Sequence, residues 1–145
     1  MKKYISPLLF ALLFTPIGAF ANNTASIIST APENAEVYFI QPQDGQTVSQ
    51  KLKVVFGLKN MGVAPAGTDR ENTGHHHILI DTDTLPDLSQ PLPATDKIIH
   101  FGGGQTETEI TLSPGKHTLQ LVLGNHAHIP HSKPVISKKI TVTVK

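Results

Sequence analysis

Apolar side chains in this chain recur at every second position, in short runs that Gly and Pro bring to a stop. Leu52, Val54, Phe56 and Leu58 alternate with Lys51, Lys53 and Lys59. The same phase returns in Thr108, Ile110 and Leu112, in Leu119, Leu121 and Leu123, and in Ile140, Val142 and Val144. A period of two is that of a strand with one face buried. No segment carries the 3.6-residue period of an amphipathic helix.

Seven strand patterns follow, at 37–41, 51–59, 75–81, 97–101, 106–112, 117–124 and 135–144. Asp44-Gly45 and Pro114-Gly115 read as turns between them. Ser137-Lys138-Lys139 interrupts the last pattern, as a bulge or a charge-guarded edge would. Two connections are long: 60–74, rich in Gly and polar residues, and 82–96, which carries three prolines with Asp83, Asp87 and Asp96. Loops of that length in compact domains are often functional. The expectation is an all-β chain, an immunoglobulin- or fibronectin-like β-sandwich of about seven strands.

Ahead of this domain, Lys2 and Lys3, the apolar run Leu8 to Phe14 and the small-x-small site Ala19-Phe20-Ala21 read as a signal peptide over 1–21, cleaved after Ala21. The run is too short for a membrane anchor. The organisation expected is a signal peptide (1–21), a flexible lead (22–35) and one domain (36–145), exported to the periplasm or secreted. There is no Cys, so thiolate catalysis, thiolate metal sites and stabilising disulfides are excluded.

Losing Lys2 and Lys3 takes the 12 basic residues of the full chain to 10, close to balance with the 11 acidic ones. No basic field exists to draw in nucleic acid. The aromatics beyond the signal are Tyr38, Phe39, Phe56 and Phe101, too few for a base- or sugar-stacking platform.

What remains is histidine, of which all eight lie between positions 75 and 131. In Gly74-His75-His76-His77-Ile78-Leu79-Ile80-Asp81, strand alternation puts His75, His77, Leu79 and Asp81 on one face and His76, Ile78 and Ile80 on the other. Imidazoles at i and i+2 can converge on one ion, and neutral imidazole suits Cu(II) or Zn. A second group, His126, His128 and His131, falls in the loop before the last strand. His100 precedes Phe101 and the run Gly102-Gly103-Gly104, which reads foremost as a turn with positive φ. The candidate metal ligands are His75, His77, His100, His126, His128 and His131, with Asp81 and Gln105 as neighbours that orient them. His117, in Leu112-Ser113-Pro114-Gly115-Lys116-His117, stands where sandwich domains carry a corner tyrosine, and a structural role is expected.

Taken with the signal peptide and Ala66-Gly67, the segments GHHHILID (74–81), HFGGGQTE (100–107), LSPGKHTLQL (112–121) and HIPHSKPVIS (128–137) resemble an uncharacterised bacterial secreted family, a domain of unknown function. The resemblance implies a compact β-domain and no activity. Over one hairpin, the run Pro114 to Leu121 followed by histidines is also similar to periplasmic copper-resistance proteins of the small β-sandwich type. The functional expectation is a module that buffers or delivers Cu(II) or Zn without catalysis. The rivals are a structural domain whose Ser137–Val144 edge pairs with an envelope protein, and a metalloenzyme.

Overall fold

The computed structural model describes residues 27–145, so the expected signal peptide lies outside the described residues. Nine strands form: β1 (Glu36–Gln41), β2 (Thr47–Val48), β3 (Lys51–Lys59), β4 (Gly62–Val63), β5 (Thr73–Ile80), β6 (Ile98–His100), β7 (Glu107–Thr111), β8 (Gly115–Gly124) and β9 (Ile140–Val144). There is no helix among the described residues. The two strands beyond the expected seven, β2 and β4, are two-residue additions at sheet margins, too short to show a period.

The strands divide between two sheets. One has the order β1-β3-β7, and the other β2-β9-β8-β5-β4 with β6 also on β5. Their inner faces meet in one core, with Val37, Leu52, Val54, Phe56 and Ile110 from the first sheet. Ile78, Ile80, Leu119, Leu121, Leu123, Ile140, Val142 and Val144 come from the second. The alternating apolar positions are therefore the inward ones. At roughly 25 cal/mol per Å² of apolar surface, each such fully buried aliphatic contributes about 1.5–3 kcal/mol. On the outer face of the small sheet, Lys51 pairs with Glu109 at 3.2 Å and Lys53 with Glu107 at 3.1 Å. These exposed cross-strand pairs keep that face polar and add little stability.

The last strand is not the open edge expected of it. β9 lies between β8 and β2, which pairs in parallel with Thr143 and Val144. Nearby, the Gly45 amide donates to Thr141 O at 2.7 Å. Ser137 instead spans to β8: its Oγ accepts the Leu121 amide at 2.8 Å, and its own amide donates to Leu121 O at 2.9 Å. The interruption at 137–139 is a displaced crossing onto β8.

β5 is the strand that matters most for the site, because it is buried on both faces. Every residue from Gly74 to Ile80 is buried. Its inner face joins the core, while its outer face lies under the long 82–97 connection. There Leu79 and Val122 pack with Leu92 and Ile98 in a second, smaller core. The Leu92 amide donates to His128 O at 3.0 Å, which ties this cover to the histidine loop. Of the lead expected over 22–35, residues 22–26 lie outside the described residues, and 27–35 are hydrogen-bonded to the domain. Asn125 Nδ2 donates to Ile27 O at 2.7 Å, the Ser132 amide to Ser29 O at 2.9 Å, and Asn60 Nδ2 to Asn34 O at 2.7 Å.

Candidate metal centre

Strand alternation on β5 sends His76 inward and His75 and His77 outward. His76 stacks on Phe56, with ring centroids 4.8 Å apart, and Phe56 in turn packs on Phe101 at 5.0 Å. His75 and His77 lie side by side on the other face at 4.8 Å. Both are buried, at 0% and 1% exposure.

Two further imidazoles close over this pair. β6 runs antiparallel to β5 and sets His100 directly opposite His77, with ring centroids 5.1 Å apart and near-parallel planes. The loop after β8 brings His128, whose ring lies 4.5 Å from that of His100 and 5.1 Å from that of His75. His75 Nε2 lies 3.1 Å from His128 Nδ1. One ring nitrogen from each of His75, His77, His100 and His128 falls within 4.8 Å of all the others. Metal–nitrogen bonds of roughly 2.0–2.1 Å place tetrahedral ligand atoms about 3.3–3.4 Å apart. Side-chain adjustments of an ångström or less would bring this group to that spacing. The cluster can hold a metal ion.

Its protonation state suits that use. Burial, followed by the neighbouring His100 and His128, lowers the pKa of His75 to about 4. Burial, followed by His75 and His100, lowers that of His77 to about 3. His100 is lowered as well, by burial and then by His128. These rings are neutral at neutral pH, with lone pairs available as metal ligation requires. Both ring nitrogens of His77, and Nδ1 of His75, are buried with no hydrogen-bond partner. Orphaned buried polar atoms are costly and need an explanation. The two nitrogens of His76 are also orphaned, but they face the core and converge with no other imidazole.

The loop histidine, His128, is held by Asn125, which is 2% exposed. Its side-chain oxygen accepts the amides of Ala127 at 2.9 Å and Ile129 at 3.1 Å, and its carbonyl accepts the His128 amide at 2.9 Å. His128 itself sits at φ +64°, a left-handed conformation uncommon for a residue with a Cβ. The side chain of Asn125 thus closes the turn that presents His128.

The other sequence candidates go elsewhere. His126 Nδ1 faces Asp69 Oδ1 at 3.3 Å. His131 is buried with Nε2 3.2 Å from Thr73 O. Asp81 lies just past the end of β5 at φ +49°, off the strand's alternation, and pairs with His117: Nδ1 to Oδ2 is 2.7 Å, and Asp81 Oδ1 accepts the Thr118 amide at 2.8 Å. His117 Nε2 meets Ser113 O at 2.8 Å, so both ring nitrogens face acceptors. That geometry wants the doubly protonated imidazolium, and the Asp81 hydrogen bond raises the His117 pKa accordingly. Ser113 Oγ lies 3.5 Å from the same Nε2, yet a ring donating there cannot act as base toward the hydroxyl. His117 therefore braces the Leu112–His117 turn, in the role given to a corner tyrosine. Gln105 Oε1 accepts the Gly103 amide at 2.9 Å and shapes the glycine turn. In that turn only Gly104 has positive φ, +77°.

A family model described as Domain of unknown function (DUF4399) matches residues 54–145, which include all eight histidines. No curated protein matches the chain. Among solved structures, the endo-beta-1,4-mannanase from Thermotoga petrophila aligns over 77% of this chain at 18% identity and a TM-score of 0.44. This chain spans 20% of that enzyme, and at such a similarity the likeness carries no conclusion about fold or activity.

Proposed function

The chain belongs to the DUF4399 family, and we propose that it is an exported metal-binding module that buffers or delivers Cu(II) or Zn through His75, His77, His100 and His128. The observation that carries this reading is the convergence of four imidazoles from three separate segments, two of them buried with orphaned ring nitrogens. Four imidazole nitrogens without a carboxylate suit Cu(II), Zn or Ni, and are a poor match for Mg²⁺ or Ca²⁺, which take oxygen ligands.

Holding and handing on fits the site better than catalysis. Catalytic zinc centres usually keep one position open beside three protein ligands, whereas four protein nitrogens complete a tetrahedral shell. The access side is set by burial: His75 and His77 form the floor, while His128 is half-buried and His100 exposed at the rim. An ion would enter and leave past His100.

Location in the periplasm or outside the cell rests on the sequence of residues 1–21, with its basic start, short apolar run and Ala19-Phe20-Ala21 site. No helix among the described residues is long and apolar enough to cross a membrane. Calorimetric titration of the purified domain with Cu(II) and Zn(II) tests the reading. One ion per chain, bound below roughly 10 µM at neutral pH, is the expected result, and no binding of either ion rejects it.

A further inference from the structure

Two glycines beside the histidine cluster have no backbone reason to be glycine. Gly102 and Gly124 both lie outside the positive-φ region where a Cβ is penalised. Gly124 ends a regular strand, where glycine weakens pairing and often marks the close approach of another group.

The reason lies in what a side chain would strike. A Cβ at Gly102 would sit 2.3 Å from Cε1 and 2.5 Å from Nε2 of His100. A Cβ at Gly124 would sit 2.7 Å from Cε1 of His77, and 3.3 Å from both Cα and C of His128. Carbon atoms pack at about 3.5–4.0 Å. An alanine at either position would therefore have to displace the neighbouring imidazole by about 1 Å. Metal–ligand distances tolerate only about 0.2 Å.

We propose that Gly102 and Gly124 are positioning residues of the histidine centre. Gly102 leaves the space in which the His100 ring lies flat, and Gly124 lets the β5 ligand His77 and the backbone of the loop ligand His128 approach one point. Between them they set three of the four imidazoles. They act through the rings they admit and supply no ligand atom.

This inference rests on the metal-binding reading for its consequence, and its test separates the two. Gly102→Ala and Gly124→Ala are titrated with Cu(II) beside the wild type, with the electron paramagnetic resonance spectrum recorded to follow nitrogen coordination. Each variant is expected to bind at least tenfold more weakly and to show an altered nitrogen pattern. Gly103→Ala, whose Cβ would have its nearest contacts with the flexible Gln105 side chain at 3.2–3.3 Å, is expected to bind as wild type. In a His100→Ala background the ring is gone, so Gly102→Ala should then change neither affinity nor melting temperature. That double variant also decides the matter if Gly102→Ala alone folds poorly. Wild-type affinity and spectrum in both glycine variants, or a full effect of Gly102→Ala without His100, would overturn the proposal. Should the wild type bind no ion, the metal-binding reading falls, and crystal structures of the glycine variants judge this one. A His100 or His77 ring displaced by about 1 Å supports it, and an unmoved ring overturns it.

Discussion

His75 Nε2 and His128 Nδ1 lie 3.1 Å apart, although 53 positions separate them in the chain. That distance is close to the edge of a tetrahedron of nitrogens about a first-row ion, about 3.3–3.4 Å. A strand residue and a loop residue are thus already at ligand spacing, and the strand–strand pair His77 and His100 lies beside them.

Removing either of the two buried ligands should abolish the site. His75→Ala and His77→Ala are each expected to weaken Cu(II) or Zn binding at least a hundredfold, whereas His126→Ala and His131→Ala should leave affinity within about threefold. Competition titration against a chelator of known affinity checks this. Equal losses across all four variants would mean that the ion is not held by the tetrad.

Asn125 should matter to the site without touching the ion. Asn125→Ala removes a buried acceptor of two amides and the donor to Ile27 O. Unsatisfied buried groups cost about 1–3 kcal/mol, and the two amides left without an acceptor flank His128 at its positive φ. Lower melting temperature together with metal affinity reduced tenfold or more is expected. Unchanged affinity would show that the loop keeps its shape unaided.

Much of this arrangement was legible in the residues, and the limits of the rest are physical. Period-two alternation located the inward faces and separated His76 from His75 and His77, because side-chain direction on a strand is set by position alone. The loop histidines obey no such rule. Which of His126, His128 and His131 turns inward depends on the hydrogen bonds of Asn125 and on one left-handed residue, and neither leaves a periodic trace. Asp81 was expected to orient a cluster imidazole because alternation would give it a face with His77. β5 ends at Ile80, however, and Asp81 sits at φ +49°, off the alternation, so its carboxylate meets His117 of β8 instead. Gly124 carried a signal that was readable, a glycine closing the apolar run Leu121-Val122-Leu123.

Metal-free protein should lose stability in acid. Burial holds His76 at about 4 and His77 at about 3, below the value near 6.5 of an unfolded chain. The unfolded state then binds more protons, so stability is full above about pH 6.5 and falls as the pH drops toward 4. Melting curves across pH 4–7.5 check this, and saturating metal should raise the melting temperature throughout. A flat profile would mean that these rings are not buried.

The His117–Asp81 pair should behave in the opposite sense. The Asp81 hydrogen bond raises the His117 pKa, so its stabilisation is complete below about 6.5 and is lost as the pH rises through the folded value. For Asp81, burial pushes upward but is outweighed by the Thr118 amide and His117, and its pKa is lowered. Lys97 also acts on Asp81 in the same downward sense. The carboxylate is therefore ionised throughout that window. The gap in melting temperature between wild type and His117→Gln should be wider at pH 5.5 than at pH 9, and a gap independent of pH would contradict an imidazolium there.

The central claim is that four imidazoles from β5, β6 and the loop after β8 form one coordination sphere. X-ray absorption spectroscopy of the Zn-loaded protein measures that sphere directly. One zinc per chain surrounded by four imidazole nitrogens at roughly 2.0 Å is the predicted result. A bound zinc coordinated mainly by water and oxygen, or no zinc retained, would contradict it.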